Sequence, residues 1–222
     1  FIDCFDGPGT RSLRPSKRIK KPPAMTQLSL PVSDVAFTPS VKAIQSRKGS
    51  RPAYEAARWA QEIGPDLAGF IAAQTSFFFA TTNAAGQPYI QHRGGPPGFL
   101  HVLGPTTLGF ANFSGNRQYI SAGNLADNPK AFLFLIDYTH RQRVKIWGEA
   151  RLVEDQPDLV AQLMPQGYKA RGEAAILFEV AAWNANCPQH IPQRFEAADV
   201  AAAIAVREAR IAELVLAPAR AA

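Results

Sequence analysis

The chain has 222 residues, 46% of them hydrophobic and 19% charged, which suits one domain with a packed core and excludes the low-hydrophobicity composition of disorder. Its formal net charge of +6 is uneven, with Arg11, Arg14, Lys17, Arg18, Lys20 and Lys21 set against only Asp3 and Asp6 at the start. The remainder is close to balanced, so the folded part carries no nucleic-acid footprint, and no run of about 18 apolar residues predicts a membrane span.

Residues 1–39 read as a disordered leader passing into an extended arm, with a change of composition at Met25 after "RIKKPPA". The leader has no apolar stretch of the secretory kind, and the expected location is the cytoplasm. Residues 40–222 read as a single domain. Ser40 is a candidate N-cap for a first helix that Gly49 can end. A second helix is predicted over 52–62 between Pro52 and Gly64. A third starts at Pro65, with Leu67, Phe70 and Ile71 on one stripe.

The period changes at Ser76. "SFFFATT", the turn "NAAGQP" and "YIQHRGG" predict a β-hairpin, and "GFLHVLG" and "TTLGFANF" continue the meander. "GNRQYISAGNLADNP" predicts a short helix or turn closed by Asn-Pro. "KAFLFLIDY" and "QRVKIWGEARLVE" predict two longer strands, "QPDLVAQLM" a short helix and "AAILFEVAAW" the last strand. The C-terminal helix over 196–217 places Val200, Ile204, Ile211, Leu214 and Val215 on a predicted packing stripe. Short strands without βαβ alternation predict a mainly β, α+β fold: a six-stranded antiparallel split β-barrel of Greek-key type with peripheral helices.

The common dinucleotide, P-loop, serine-hydrolase and zinc-protease signatures are absent. Cys4 and Cys187 are too few for a disulfide framework. Cys187 and His190 are spaced as a C-x-x-H pair, but no second pair exists to complete a zinc site. A set of anion-competent groups at strand ends and turns is more informative. Arg93 ends a strand ahead of Gly94 and Gly95, where missing side chains let a ligand approach the backbone. Asn112, Ser114, Asn116 and Arg117 share the turn after "TLGFANF", with Ser121 one helical turn beyond Arg117. Arg141, Gln142, Arg143 and Lys145 open a later strand. Arg suits bidentate phosphate binding, and Ser and Asn supply neutral donors, so together these residues predict an anionic ligand.

From about Gly69 to Phe195, "GQPYIQHRGG", "GFLHVL", "TLGFANFSGNRQ", "NLADNPKAFLFL" and "RQRVKIWGEARLV" resemble the pyridoxamine 5′-phosphate oxidase-like superfamily, in its branch of flavin-nucleotide-binding proteins. The resemblance implies a split barrel, a homodimer with FMN in two interface clefts, and an FMN-dependent oxidoreductase acting on a small molecule with NADH or NADPH as donor. It implies that Arg93 and Arg117 hold the phosphate with Ser121 or Ser114 assisting. Gln142 and Arg143 would meet the isoalloxazine or ribityl region, with Trp183 and Arg194 near the ring and substrate side. Cys187 and His190 are substrate-contact candidates. The run "NANCPQHIPQRF" departs from the oxidase where its substrate binds, so pyridoxamine phosphate is not carried over. A non-catalytic flavin-, deazaflavin- or haem-binding protein is the alternative.

Overall fold

A computed structural model describes residues 31–56, 59–186 and 189–216 of the chain; the leader through Leu30 and Cys187 lie outside them. Pro-rich starts set the N-terminal helices. In α1 (Pro39–Arg47) the Val41 N–H donates to the Thr38 hydroxyl at 3.3 Å with Pro39 in the first turn, so the cap lies two residues ahead of Ser40. α2 (Arg51–Ala56) and α3 (Pro65–Ala73) follow, the latter burying Leu67 and Ile71. Among the described residues, no helix is long and apolar enough to cross a membrane.

Seven antiparallel strands follow: β1 (Ser76–Thr82), β2 (Pro88–Gly94), β3 (His101–Val102), β4 (Thr107–Phe113), β5 (Lys130–Asp137), β6 (Gln142–Val153) and β7 (Gly172–Asn186). α4 (Ile120–Asp127) lies between β4 and β5, α5 (Pro157–Leu163) between β6 and β7, and α6 (Ala197–Leu216) ends the described chain. The strands form one sheet in the order β2-β1-β5-β6-β7-β4-β3. Alternation decides which face is inside: Phe77 and Phe79 of β1, Leu133 and Leu135 of β5, and Val144 and Ile146 of β6 are buried in one core with Phe110 and Phe178. A smaller cluster of Val153, Val160, Leu163 and Ala175 lies under α5.

This architecture corrects the expected mainly β, six-stranded split barrel. The fold is mixed α/β, and its seven-stranded sheet does not close, because β2 and β3 remain its two edges. The sheet curls enough for Phe77 and Phe79 to meet the Phe110 ring at 5.1 and 5.7 Å, although three strands separate β1 from β4 in the order. Closure fails for a local reason. β3 is two residues long, and β2 runs into Pro96 and Pro97, which have no N–H to offer a ladder. Phe99 and Leu100, both 2% exposed, plug the core behind that loop.

One glycine is fixed by packing. At Gly148, where the β6–β7 register shifts, a Cβ would collide with the Glu179 carbonyl oxygen and the Phe178 ring. The expected packing stripe of α6 is a second correction. Val200, Ile204, Ile211, Leu214 and Val215 are between 43% and 77% exposed. Apolar periodicity identified the helix but could not say that the described fold leaves this face uncovered.

Candidate functional site

The unclosed gap between β2 and β4 forms the site. β2 turns Tyr89, Gln91 and Arg93 inward, and its alternate residues Pro88, Ile90 and His92 outward. The Arg93 Nη1 donates across the gap to Asn112 Oδ1 at 2.7 Å, and its guanidinium carbon lies 5.9 Å from the centre of the Phe110 ring. Among the described residues, Arg93 Nε is buried without a hydrogen-bond partner. Burial pushes the Arg93 pKa down, and Tyr89 acts weakly in the opposite direction. Even so, an arginine stays charged at neutral pH, so this cation has only a neutral partner in the described fold.

Beyond Asn112 the chain bends through Ser114–Gln118 into α4. Arg117 and Tyr119 adopt left-handed backbone conformations, with φ of 60° and 51°. Neither has the glycine that such a conformation favours, and strain of this kind gathers at functional turns. Tyr119 is the N-cap of α4 and no side chain caps the helix. The first residues of α4, Ile120, Ser121 and Ala122, line the cavity, at the positive end of the helix dipole. Two hydrogen bonds hold this end in place. Ser121 Oγ donates to Gln91 Oε1 at 3.1 Å, and Asn124 Nδ2 donates to Thr81 Oγ1 at 2.9 Å.

The result is a polar cavity of about 50 Å³ whose wall includes Arg93, Asn112, Asn116, Arg117 and Ser121. Five of the residues picked out in the sequence thus meet in one place. Gly94 lines an adjoining cavity of about 170 Å³ that shares Gln91, Arg93 and Phe113 with the first. Ser114 stands beside the site, its backbone N–H donating to the Arg171 carbonyl at 2.8 Å. The donor set fits a phosphate ester: an uncapped helix start, a buried cation with a free Nε, a second arginine and a hydroxyl. Glu173 also lines the cavity and is its one acidic member.

The other candidates lie elsewhere. Gln142 and Arg143 open β6 across from Asp137 and Ile136. Register explains the separation from Arg93: Arg93 pairs with the inward Phe77, whereas Arg143 falls one residue out of phase with the buried Val144. The two arginines therefore occupy opposite faces of the sheet. Trp183 donates its indole N–H to the Glu62 carbonyl at 2.8 Å and packs against the main core. Arg194 lies over the Tyr138 ring at 4.2 Å, beside a cavity of about 540 Å³ at the β5–β6 hairpin. His190 is exposed with a φ of 64°.

Several participants had no motif to mark them. Tyr89 and Gln91 could have been found by continuing the period of two back from Arg93; Leu152 and Glu173 come from strands remote in sequence and left no signal. At the hairpin, His140 Nδ1 lies 2.7 Å from Asp137 Oδ2, and the His140 N–H donates to Asp137 Oδ1 at 2.9 Å. Burial draws the Asp137 pKa up, but hydrogen bonds from His140 and Thr139 and the His140 charge outweigh it and hold the carboxyl below its usual range.

The family described as pyridoxamine 5′-phosphate oxidase matches residues 63–187. Among solved structures, HupZ of Group A Streptococcus is similar at 17% identity, over 60% of this chain and 99% of that one, with a TM-score of 0.47. A putative pyridoxamine 5′-phosphate oxidase of Lactobacillus delbrueckii gives 16% identity, coverage of 56% and 95%, and a TM-score of 0.44. An FMN-binding protein of Syntrophomonas wolfei gives 11% identity, coverage of 67% and 97%, and a TM-score of 0.43. Comparison with curated proteins gives no match.

Proposed function

We propose that this chain, which belongs to the pyridoxamine 5′-phosphate oxidase family, binds FMN by its phosphate in the cavity between β2 and α4 and acts as an oxidoreductase on a small molecule. The observation that carries the reading is Arg93: a partly buried guanidinium with one neutral hydrogen-bond partner and an orphaned Nε among the described residues, in one cavity wall with the uncapped start of α4. Partial burial without a charged partner costs a cation part of its hydration, and a phosphate near a charge of −2 offsets that cost as no neutral ligand can.

Each neighbour has a part in this reading. Arg93 supplies charge-assisted donors from β2, rigidly held through Asn112. Arg117, exposed in the left-handed turn, closes on the phosphate from the solvent side. The first N–H groups of α4 donate along the helix axis, and Ser121, tied to Gln91, keeps that end at a fixed distance from β2. Glu173 opposes a second negative group and so limits the cavity to one phosphate. When bound, FMN supplies hydride or electron transfer at its N5, and the protein's contribution is position and electrostatics.

The working unit in this reading is a homodimer, with NADH or NADPH as the source of electrons. Sedimentation should give twice the chain mass of 24.1 kDa. The direct test is the double variant Arg93→Ala, Arg117→Ala. Each change removes a charge-assisted contact of about 1.5–3 kcal/mol, so FMN retention should fall by at least about 100-fold. Normal flavin content in the folded double variant would overturn the assignment.

A further inference from the structure

The cavity at the β5–β6 hairpin, about 540 Å³ in volume, shares no wall residue with the phosphate site. Its size is that of a small-molecule site. Three carboxylates line it, Asp137, Glu196 and Asp199, against one guanidinium, that of Arg194. Arg194 is occupied on the Tyr138 ring, and Asp137 is bound by His140. Glu196 and Asp199 are exposed and form no ion pair among the described residues. A second feature of the wall comes from another element. Gln74, at the end of α3, is only 6% exposed. Its Nε2 donates to the Phe70 carbonyl at 3.1 Å, which fixes the amide and leaves Oε1 over, and that oxygen accepts no hydrogen bond among the described residues. A buried acceptor without a donor is destabilising unless something in the cavity supplies one. We infer that this cavity binds an aliphatic diamine or polyamine, with one ammonium donating to Gln74 Oε1 and another held by Glu196 and Asp199.

The wall calls for donors, because an amide oxygen and ionised carboxylates only accept. An alkylammonium brings N–H donors and a charge that persists at neutral pH. A metal ion does not suit the same groups: among the described residues, no group of three His, Cys, Asp or Glu side chains is placed to hold one. The open acceptors instead come from separate elements, Gln74 from the end of α3 and Glu196 and Asp199 from the start of α6. Acceptors set apart in this way match a ligand with cationic ends on a flexible chain. Ile136 and Phe195 in the same wall give its methylene groups apolar surface. The site stands on its own geometry and does not depend on FMN.

The test titrates the purified full chain by calorimetry with putrescine, butylamine and 1,4-butanediol. Putrescine should bind, butylamine should bind about 3- to 10-fold more weakly for want of the second charge, and the uncharged diol should give no heat. The double variant Glu196→Gln, Asp199→Asn changes two exposed side chains. It should bring putrescine down to the level of butylamine and leave butylamine unchanged. The control variant Glu208→Gln, Glu213→Gln removes carboxylates of the same helix that lie outside the cavity wall, and should change nothing. Gln74→Leu removes the buried acceptor and should weaken both amines by at least about tenfold. If that variant does not fold, the exposed double variant decides the matter. No heat with putrescine up to about 10 mM, an affinity untouched by the Glu196 and Asp199 changes, or an equal loss in the control variant would refute the assignment. Flavin content, measured on the same samples, should be the same in the two exposed double variants as in the unaltered protein, because the phosphate site uses none of these residues. Amine binding by a protein that takes up no FMN overturns the flavin proposal and leaves this one standing, and the reverse result does the opposite.

Discussion

At Arg93 the chain partly buries a cation and pairs it with the side-chain amide of Asn112. Charge alone does not explain the arrangement, because the fork geometry fixes where the remaining donors point. Arg93→Lys keeps the charge but loses the planar fork, and it should cost about tenfold in FMN affinity, measured by fluorescence quenching on titration. Asp137 makes a second residue-scale prediction. Its folded-state pKa is lowered, so it contributes stability that is present above the unfolded value and lost as pH falls through the folded one. Unfolding followed below about pH 4 should show this loss, and Asp137→Asn should flatten it; an unchanged acid limb would mean that the His140 contact does not stabilise the fold. Gly148 makes a third. Gly148→Ala forces a Cβ onto the Glu179 carbonyl oxygen and should destabilise by about 3 kcal/mol in urea.

α4 is the element that joins site to fold. Its anchors, Ser121 on Gln91 and Asn124 on Thr81, are side-chain bonds to two adjacent strands. Asn124→Ala strands a buried hydroxyl and should cost about 1–2 kcal/mol of stability, with a matching loss of FMN affinity as the helix start drifts. Loss of stability with unchanged FMN affinity would separate the helix from the site. The sequence made much of this legible. "SFFFATT" alternates cleanly and coincides with β1 as Ser76–Thr82, and Pro65 and Pro157 begin helices where expected. The short helix or turn expected over "GNRQYISAGNLADNP" is the helix α4, closed by Asn128 and Pro129, but nothing in the sequence marks its first residue, because the N-cap is a left-handed tyrosine rather than a Ser, Thr or Asp. "GFLHVLG" was read as a full strand, yet only His101 and Val102 pair, since the preceding prolines take away the donors a longer ladder needs. Residue type and turn position are enough to single out Arg93, Asn112, Asn116, Arg117 and Ser121, which share one cavity wall. Gln142 and Arg143 have the same residue chemistry but lie apart, because a sequence does not reveal which face of a curled sheet a residue occupies.

For the whole molecule, the open edge is the central physical fact. A sheet that curls but does not close leaves a gap between β2 and β4, and two adjoining cavities that share Gln91, Arg93 and Phe113 lie there. The barrel expected from strand spacing was wrong because spacing reports the number of strands and not whether the last pairs with the first. α6 lies outside the family match at residues 63–187 and packs little against the described sheet. Truncation after Glu196 should therefore shift the melting temperature by no more than about 2–4 °C, the effect of 1 kcal/mol in a chain of this size, and leave flavin content unchanged. A collapse of the fold on truncation would contradict that picture.

The most direct measurement is identification and counting of the chromophore released from purified, denatured protein, by absorption and mass spectrometry. FMN, absorbing near ~450 nm at about one per chain, is the expected result. A colourless protein that takes up no added FMN, or a haem Soret band in its place, would contradict the account.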